Sequence, residues 1–139
     1  MTTLSTYDTE LSESAETIYA LWATPHSWPD WDPDVASVDF LGDAHVGAQG
    51  RLHPTSGPTA RFTITRLEDG RRVTTATRLP GATLTFDHIV TPAAAGCHAE
   101  VRIMLDGPLA PLWRLALGRS FASAANRNIA GLSQRLVSQ

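Results

Sequence analysis

The stretch Ser27–Val38, SWPDWDPDVASV, decides how the rest of the chain is read. Two tryptophans, two prolines and three aspartates stand here between a helical segment and a strand. Proline fixes φ and tryptophan brings a large area to bury, so together they form a stiff, bulky corner. Such a corner predicts a wall or lid over something apolar. Upstream, Leu4–Leu11 alternates: Tyr7, Thr9 and Leu11 share one face, Asp8 and Glu10 the other, as in a half-buried strand. Ser14 is placed to N-cap the segment AETIYALWAT, in which Ile18, Leu21 and Trp22 fall on one helical stripe. Pro25 ends that helix, and Thr24–Trp31 is expected as a short second helix or turn.

Downstream of the corner the period is two. Val35–Leu41 turns Val38 and Phe40 to one face and Asp39 to the other, and Gly50–Pro54 is a weaker strand. Arg61–Leu67 places Phe62 and Ile64 inward; Arg71–Leu79 aligns Val73, Thr75, Thr77 and Leu79. Thr83–Val90 aligns Leu84, Phe86, His88 and Val90, and His98–Asp106 aligns Val101, Ile103 and Leu105. Asp69-Gly70 and Pro80-Gly81 are turn signals, and Ala93–Gly96 reads as a loop. After Gly107-Pro108 the period becomes helical from Leu109 to Leu136. Trp113, Leu117, Phe121, Ala125, Asn128, Leu132 and Leu136 form its stripe, and Gly118 marks the expected bend.

The order β-α-α-β-β-β-β-β-β-α predicts an α+β fold. An antiparallel meander of six to seven strands must cover its apolar face, and the C-terminal helix is the one element long enough to do so. Two short helices lie between strands 1 and 2. A curved sheet wrapped around one helix diverges from it, which leaves room for a cavity.

Length and charge narrow the function. The 139 residues fit one domain, 1–139, with 42% hydrophobic content typical of a soluble globular protein. A net charge of −3 gives no electrostatic support to nucleic acid or to an anionic membrane as partner. All eleven basic residues are arginine, a mark of genome composition. A single cysteine, Cys97, allows no internal disulfide and fits a reducing cytosol. There is no signal-peptide pattern and no run near the ~20 apolar residues needed to span a bilayer. The expectation is a cytoplasmic protein, monomer or homodimer, with no membrane insertion.

Three motifs carry a family resemblance: WPDWDPDV at Trp28–Val35, FDHIVTP at Phe86–Pro92, and GPL at Gly107–Leu109 opening onto APLWRLALGR. In this layout the chain resembles the SRPBCC superfamily, also called START-like or helix-grip, and within it the polyketide cyclase/dehydrase branch. The resemblance spans nearly the whole chain. It implies a helix-grip fold with a hydrophobic-ligand cavity, as in aromatases, cyclases, and lipid or sterol carriers.

His88 is the first candidate for chemistry, an imidazole between Phe86 and Val90 on an apolar face, able to move a proton to or from a ligand. The bland reading is a core histidine bonded to a carbonyl or hydroxyl. Arg66 continues the Phe62–Ile64 face if the strand does not bulge, and would stabilise an enolate. Tyr7, Thr9, Thr75 and Thr77 put hydroxyls on inward faces. Trp22, Trp28, Trp31, Phe40, Phe62, Phe86, Trp113, Leu117 and Phe121 are candidate walls of a ligand site, though each is equally a core residue. Asn128, a polar amide on the apolar stripe, needs a partner: His88, a backbone group or the ligand.

Other chemistry lacks support. Asp30, Asp32 and Asp34 begin like a calcium loop, but Val35 stands where glycine is needed and Leu41 where glutamate is needed. They read instead as helix caps or a solvated corner. No metal spacing, nucleophile elbow or phosphate loop occurs, and no cofactor is required. The leading expectation is a domain that promotes cyclisation, aromatisation or dehydration of a polyketide-like, oxygenated hydrophobic intermediate. The alternative is a non-catalytic carrier or sensor of a lipid, sterol or other hydrophobe.

Overall fold

A computed structural model describes residues 2–137; Met1, Ser138 and Gln139, counted in the expected domain, lie outside them. Strand β1 (Thr2–Leu11) leads through α1 (Ala15–Trp22), a 3₁₀ turn (Pro25–Ser27) and α2 (Trp28–Trp31) into β2 (Val35–Phe40). Then come β3 (Gln49–Pro54), β4 (Ala60–Glu68), β5 (Arg72–Leu79), β6 (Ala82–Ala93) and β7 (Gly96–Asp106), followed by α3 (Ala110–Phe121) and α4 (Ala124–Val137). The seven strands form one antiparallel sheet in the order β1-β7-β6-β5-β4-β3-β2. The meander runs in sequence, and β1 closes onto β7. The helices cover the concave face.

Ser14 caps α1 as its sequence predicts, accepting from the backbone N–H of Thr17 at 3.2 Å. The corner after α1 is held by its tryptophans. Trp28 Nε1 donates to the carbonyl of Trp22 at 3.1 Å, and Trp31 Nε1 donates to Ser27 Oγ at 3.1 Å. Both indoles bury their rings while their N–H groups find partners, which is the requirement for a buried tryptophan. Trp22 and Ile18 are sealed in the core with Ile64, Val73, Val101, Ile103, Leu105, Ile129 and Leu132.

Three details depart from the sequence reading. The Ala93–Gly96 loop is a tight hairpin: Ala93 pairs with Gly96, so β6 and β7 run further than expected. Gly96 sits at φ 150°, and a Cβ there would collide with the backbone of Leu11 and Ser12. The C-terminal helix does not bend at Gly118; it breaks at Ala122–Ser123, between α3 and α4. Ser5 Oγ reaches that break from β1, donating to the Ala122 carbonyl at 3.2 Å and accepting from the Ala125 N–H at 3.1 Å. The third departure concerns Arg66 and belongs to the site.

Candidate functional site

Strand register arranges the concave face in rows. Leu67, Val73, His88, Val101 and Tyr7 are cross-strand neighbours in one row; Ile64, Thr75, Phe86, Ile103 and Ser5 form the next. Thr77, Leu84 and Leu105 follow. His88, Thr75 and Thr77 are all buried on this face.

Arg66 is not part of it. The register of β4 shifts between Ile64 and Arg66, so Thr65 and Arg66 both face outward and Leu67 takes the inward place opposite Val73. One extra residue reverses the alternation that the sequence suggests. The Arg66 side chain is half-exposed and pairs with Glu68. Its guanidinium does not reach the concave face.

His88 lies at 7% exposure. Its Nδ1 donates to the Val73 carbonyl at 3.1 Å, and its ring stands 5.1 Å from the indole of Trp22. Burial drives its pKa down to about 4, more than the Val73 hydrogen bond and the neighbouring Asp87 charge raise it. At neutral pH the imidazole is therefore uncharged, with its proton on Nδ1 and a lone pair on Nε2. Among the described residues no protein group takes Nε2, yet none of their sealed side-chain nitrogens or oxygens lacks a partner. Nε2 accordingly keeps a small exposure of its own.

A polar chain runs from the far edge of Trp22. Trp22 Nε1 donates to Asn128 Oδ1 at 3.3 Å, and Asn128 Nδ2 donates to Asp32 Oδ2 at 3.2 Å. The Asp34 N–H donates to Asp32 Oδ1 at 2.9 Å. Asn128 thus finds the partners its buried position demands, and neither is His88. Burial raises the Asp32 carboxyl to about 6, helped by the Asp34 charge and opposed by the Asp34 N–H, the Asn128 amide and Arg127. Asp34 holds Arg127 at 3.0 Å. Asp32 and Asp34 of the corner therefore anchor α4. Among the described residues no cluster of three His, Cys, Asp or Glu could hold a metal ion. The roles of Ser5 and Asp32 are not visible from their immediate sequence neighbours, because their partners lie more than ninety residues away.

The aromatic candidates divide in two. Trp22, Trp28, Trp31, Phe40 and Phe62 are buried, and three of them pack together: Trp28 tilts against Phe62 at 5.1 Å, and Phe62 stacks on Phe40 at 6.1 Å. Tyr7, Phe86, Trp113, Leu117 and Phe121 are only half-buried. Phe86 meets Phe121 at 6.1 Å, and Trp113 Nε1 donates to the Pro80 carbonyl at 2.8 Å. The half-buried set marks where α3 covers the sheet loosely. Two grooves are open to solvent: one of about 540 Å³ beside β2, β3 and β4, and one of about 400 Å³ between the α2 corner and α4. Neither is a closed chamber between sheet and helix.

The geometry has relatives among solved structures. A protein from Nitrosomonas europaea, NE0264, superposes with a TM-score of 0.75 at 13% identity over 96% of this chain and 93% of its own. Norcoclaurine synthase from Thalictrum flavum, solved with dopamine and hydroxybenzaldehyde, gives 0.72 at 13% identity over 96% and 86%. DynU16, from the dynemicin biosynthetic locus, gives 0.71 at 13% identity over 95% of this chain and 46% of its own. At these identities the likeness establishes the fold. No curated protein matches the chain. No helix among the described residues is long and apolar enough to cross a membrane. The family described as polyketide cyclase/dehydrase and lipid transport matches residues 4–138, and the chain belongs to it.

Proposed function

We propose that this chain binds an oxygenated, hydrophobic small molecule of polyketide-like character under α3 and promotes its cyclisation, aromatisation or dehydration. The observation that carries this reading is His88. It is a buried neutral imidazole with Nδ1 fixed by Val73 and Nε2 without a protein partner among the described residues, two residues along β6 from half-buried Phe86 on the same face. An imidazole held in one tautomer presents a lone pair of fixed direction to a ligand O–H or acidic C–H. The inward hydroxyls of Thr75 and Thr77 add polar points that orient ligand oxygens.

The chemistry closes without a cofactor. Nε2 takes a proton from carbon α to a ligand carbonyl, leaving an enolate. It returns that proton to a departing hydroxyl as the carbon–oxygen bond breaks and water leaves. His88 ends neutral. Because burial disfavours imidazolium, the transfer is favourable only while the oxyanion stands beside it. Holding the ligand folded removes entropy from the barrier. The family description and the biosynthetic locus of DynU16 support this reading.

A second reading is a carrier or sensor of a hydrophobic ligand. It is favoured by the outward position of Arg66, which leaves His88 as a lone weak base. Native mass spectrometry of protein purified from its own host, with extraction of what stays bound, supplies the test compound. Turnover lost in His88→Gln with binding retained supports catalysis. Unchanged product formation by that variant overturns it and leaves the carrier.

A further inference from the structure

We propose that the groove beside β2, β3 and β4 is a second binding site, for an amphipathic anion whose charged group is held by Arg51 and Arg61. This site is separate from His88 and does not rest on the reading given above.

Arg51 and Arg61 are direct cross-strand partners on β3 and β4, so their side chains leave the sheet on the same face. Like charges directly opposite one another destabilise a sheet. No ion pair among the described residues relieves that cost. Neither arginine has an ion-pair partner among the described residues. The nearest acid is Asp39, which stands opposite Arg51 on β2. Its carboxylate is held by His53 Nε2 at 2.8 Å, and His53 in turn is fixed through Nδ1 to Thr59. Asp39 therefore offsets part of the charge of two arginines without forming an ion pair with either.

Both arginines are exposed and line the groove of about 540 Å³. Its other walls are polar at Gln49, Asp39 and His26 and apolar at Val38, Phe40 and Leu41. Leu41 is 93% exposed, an apolar side chain with nothing packed over it. Two adjacent guanidiniums present planar donor forks suited to carboxylate, sulfonate or phosphate. The chemistry that fits is an anionic head on the arginines with a short apolar body against exposed Leu41 at the end of β2.

Two dyes with one anilinonaphthalene body separate charge from shape: 8-anilinonaphthalene-1-sulfonate and neutral N-phenyl-1-naphthylamine. In the full chain, Arg51→Gln/Arg61→Gln is expected to weaken the anionic dye by roughly tenfold, one charge-assisted contact's worth. The neutral dye is expected to bind unchanged, and Arg51→Lys/Arg61→Lys to recover part of the loss. Far-UV circular dichroism checks that each variant folds. The proposal is overturned if the anionic dye ignores the glutamine pair, or if both dyes weaken together. It is equally overturned if His88→Gln alone abolishes the preference for the anion, since the dye then sits under α3.

Discussion

His88 Nδ1 donates its proton to the carbonyl of Val73, its partner across β5 and β6. A carbonyl can only accept, so this bond fixes the tautomer of a buried ring. It makes one nitrogen structural and leaves the other without a protein partner among the described residues. The same ring packs on Trp22, whose indole N–H begins the chain through Asn128 to Asp32. Two titrating groups with opposite shifts therefore meet across one tryptophan.

Their pH effects oppose each other. His88 falls from 6.5 to about 4 on folding, so its contribution is complete above pH 6.5 and is lost as pH drops through the folded value. Asp32 rises from 3.8 to about 6, so its contribution is complete below pH 3.8 and is lost as pH climbs through the folded value. Each is on the order of 3 kcal/mol at 1.36 kcal/mol per unit, and in the shared window they nearly cancel. Urea titrations between pH 4 and 6 test this. Relative to the wild type, His88→Gln should lose stability as pH rises, and Asp32→Asn should gain it. Parallel curves for all three proteins would show that neither group is shifted.

Ser5 makes the helix break specific. Its hydroxyl serves both the last carbonyl turn of α3 and the first N–H turn of α4. Ser5→Ala should cost about 1–2 kcal/mol, the usual loss for a helix-capping hydroxyl. Hydrogen exchange should speed at the Ala125 amide before it does in β6 or β7. Unaltered exchange at Ala125 would mean that the break is set by backbone alone.

Local pattern carried most of the fold. Alternation located the strands, and the size of the tryptophans in the WPDW corner marked them for burial, where the structure places them. The errors share a cause. Arg66 was expected inward because alternation has no mark for an inserted residue, and the shift at Thr65 reverses parity. A bend in the helix was expected at Gly118, a weak helix former. It lies instead where Ser5 arrives from β1. Asp32 and Asp34 looked like cap or solvent residues because Asn128 and Arg127 are distant in sequence. The inward position of His88 followed from period two alone; its fixed tautomer needed the neighbouring strand.

The outer face of the sheet holds its own buried charge pair. Arg72 grips Asp87 with two hydrogen bonds, at 2.9 and 2.6 Å, and Thr74 adds a third at 2.8 Å. Burial works against the Asp87 carboxylate, but these contacts outweigh it and hold its pKa below the usual range. Removing one partner strands the other. Asp87→Ala should lower stability by about 3 kcal/mol, whereas Arg72→Met/Asp87→Leu should recover most of that loss. Thermal melts decide it: a double variant no better than Asp87→Ala would show that the pair contributes more than desolvation costs.

Two helix glycines should respond in opposite directions to the same substitution. Alanine is preferred over glycine inside a helix by about 1 kcal/mol, since glycine loses more backbone freedom on folding. At Gly118 in α3 a Cβ would meet nothing within 4 Å, so Gly118→Ala should show that gain. At Gly131 in α4 a Cβ would collide with the backbone carbonyl of Trp31 and press on Pro33. Backbone at a proline-stiffened corner cannot step aside as a flexible side chain can. Gly131→Ala should therefore destabilise by about 2 kcal/mol or more despite its better helix propensity. The same variant should disturb Asn128, one turn earlier, and with it the indole of Trp22. Guanidinium unfolding of both variants, followed by tryptophan fluorescence, reads stability and the Trp22 environment together. If Gly131→Ala gains stability as Gly118→Ala does, α4 does not seat against the α2 corner as closely as this packing requires.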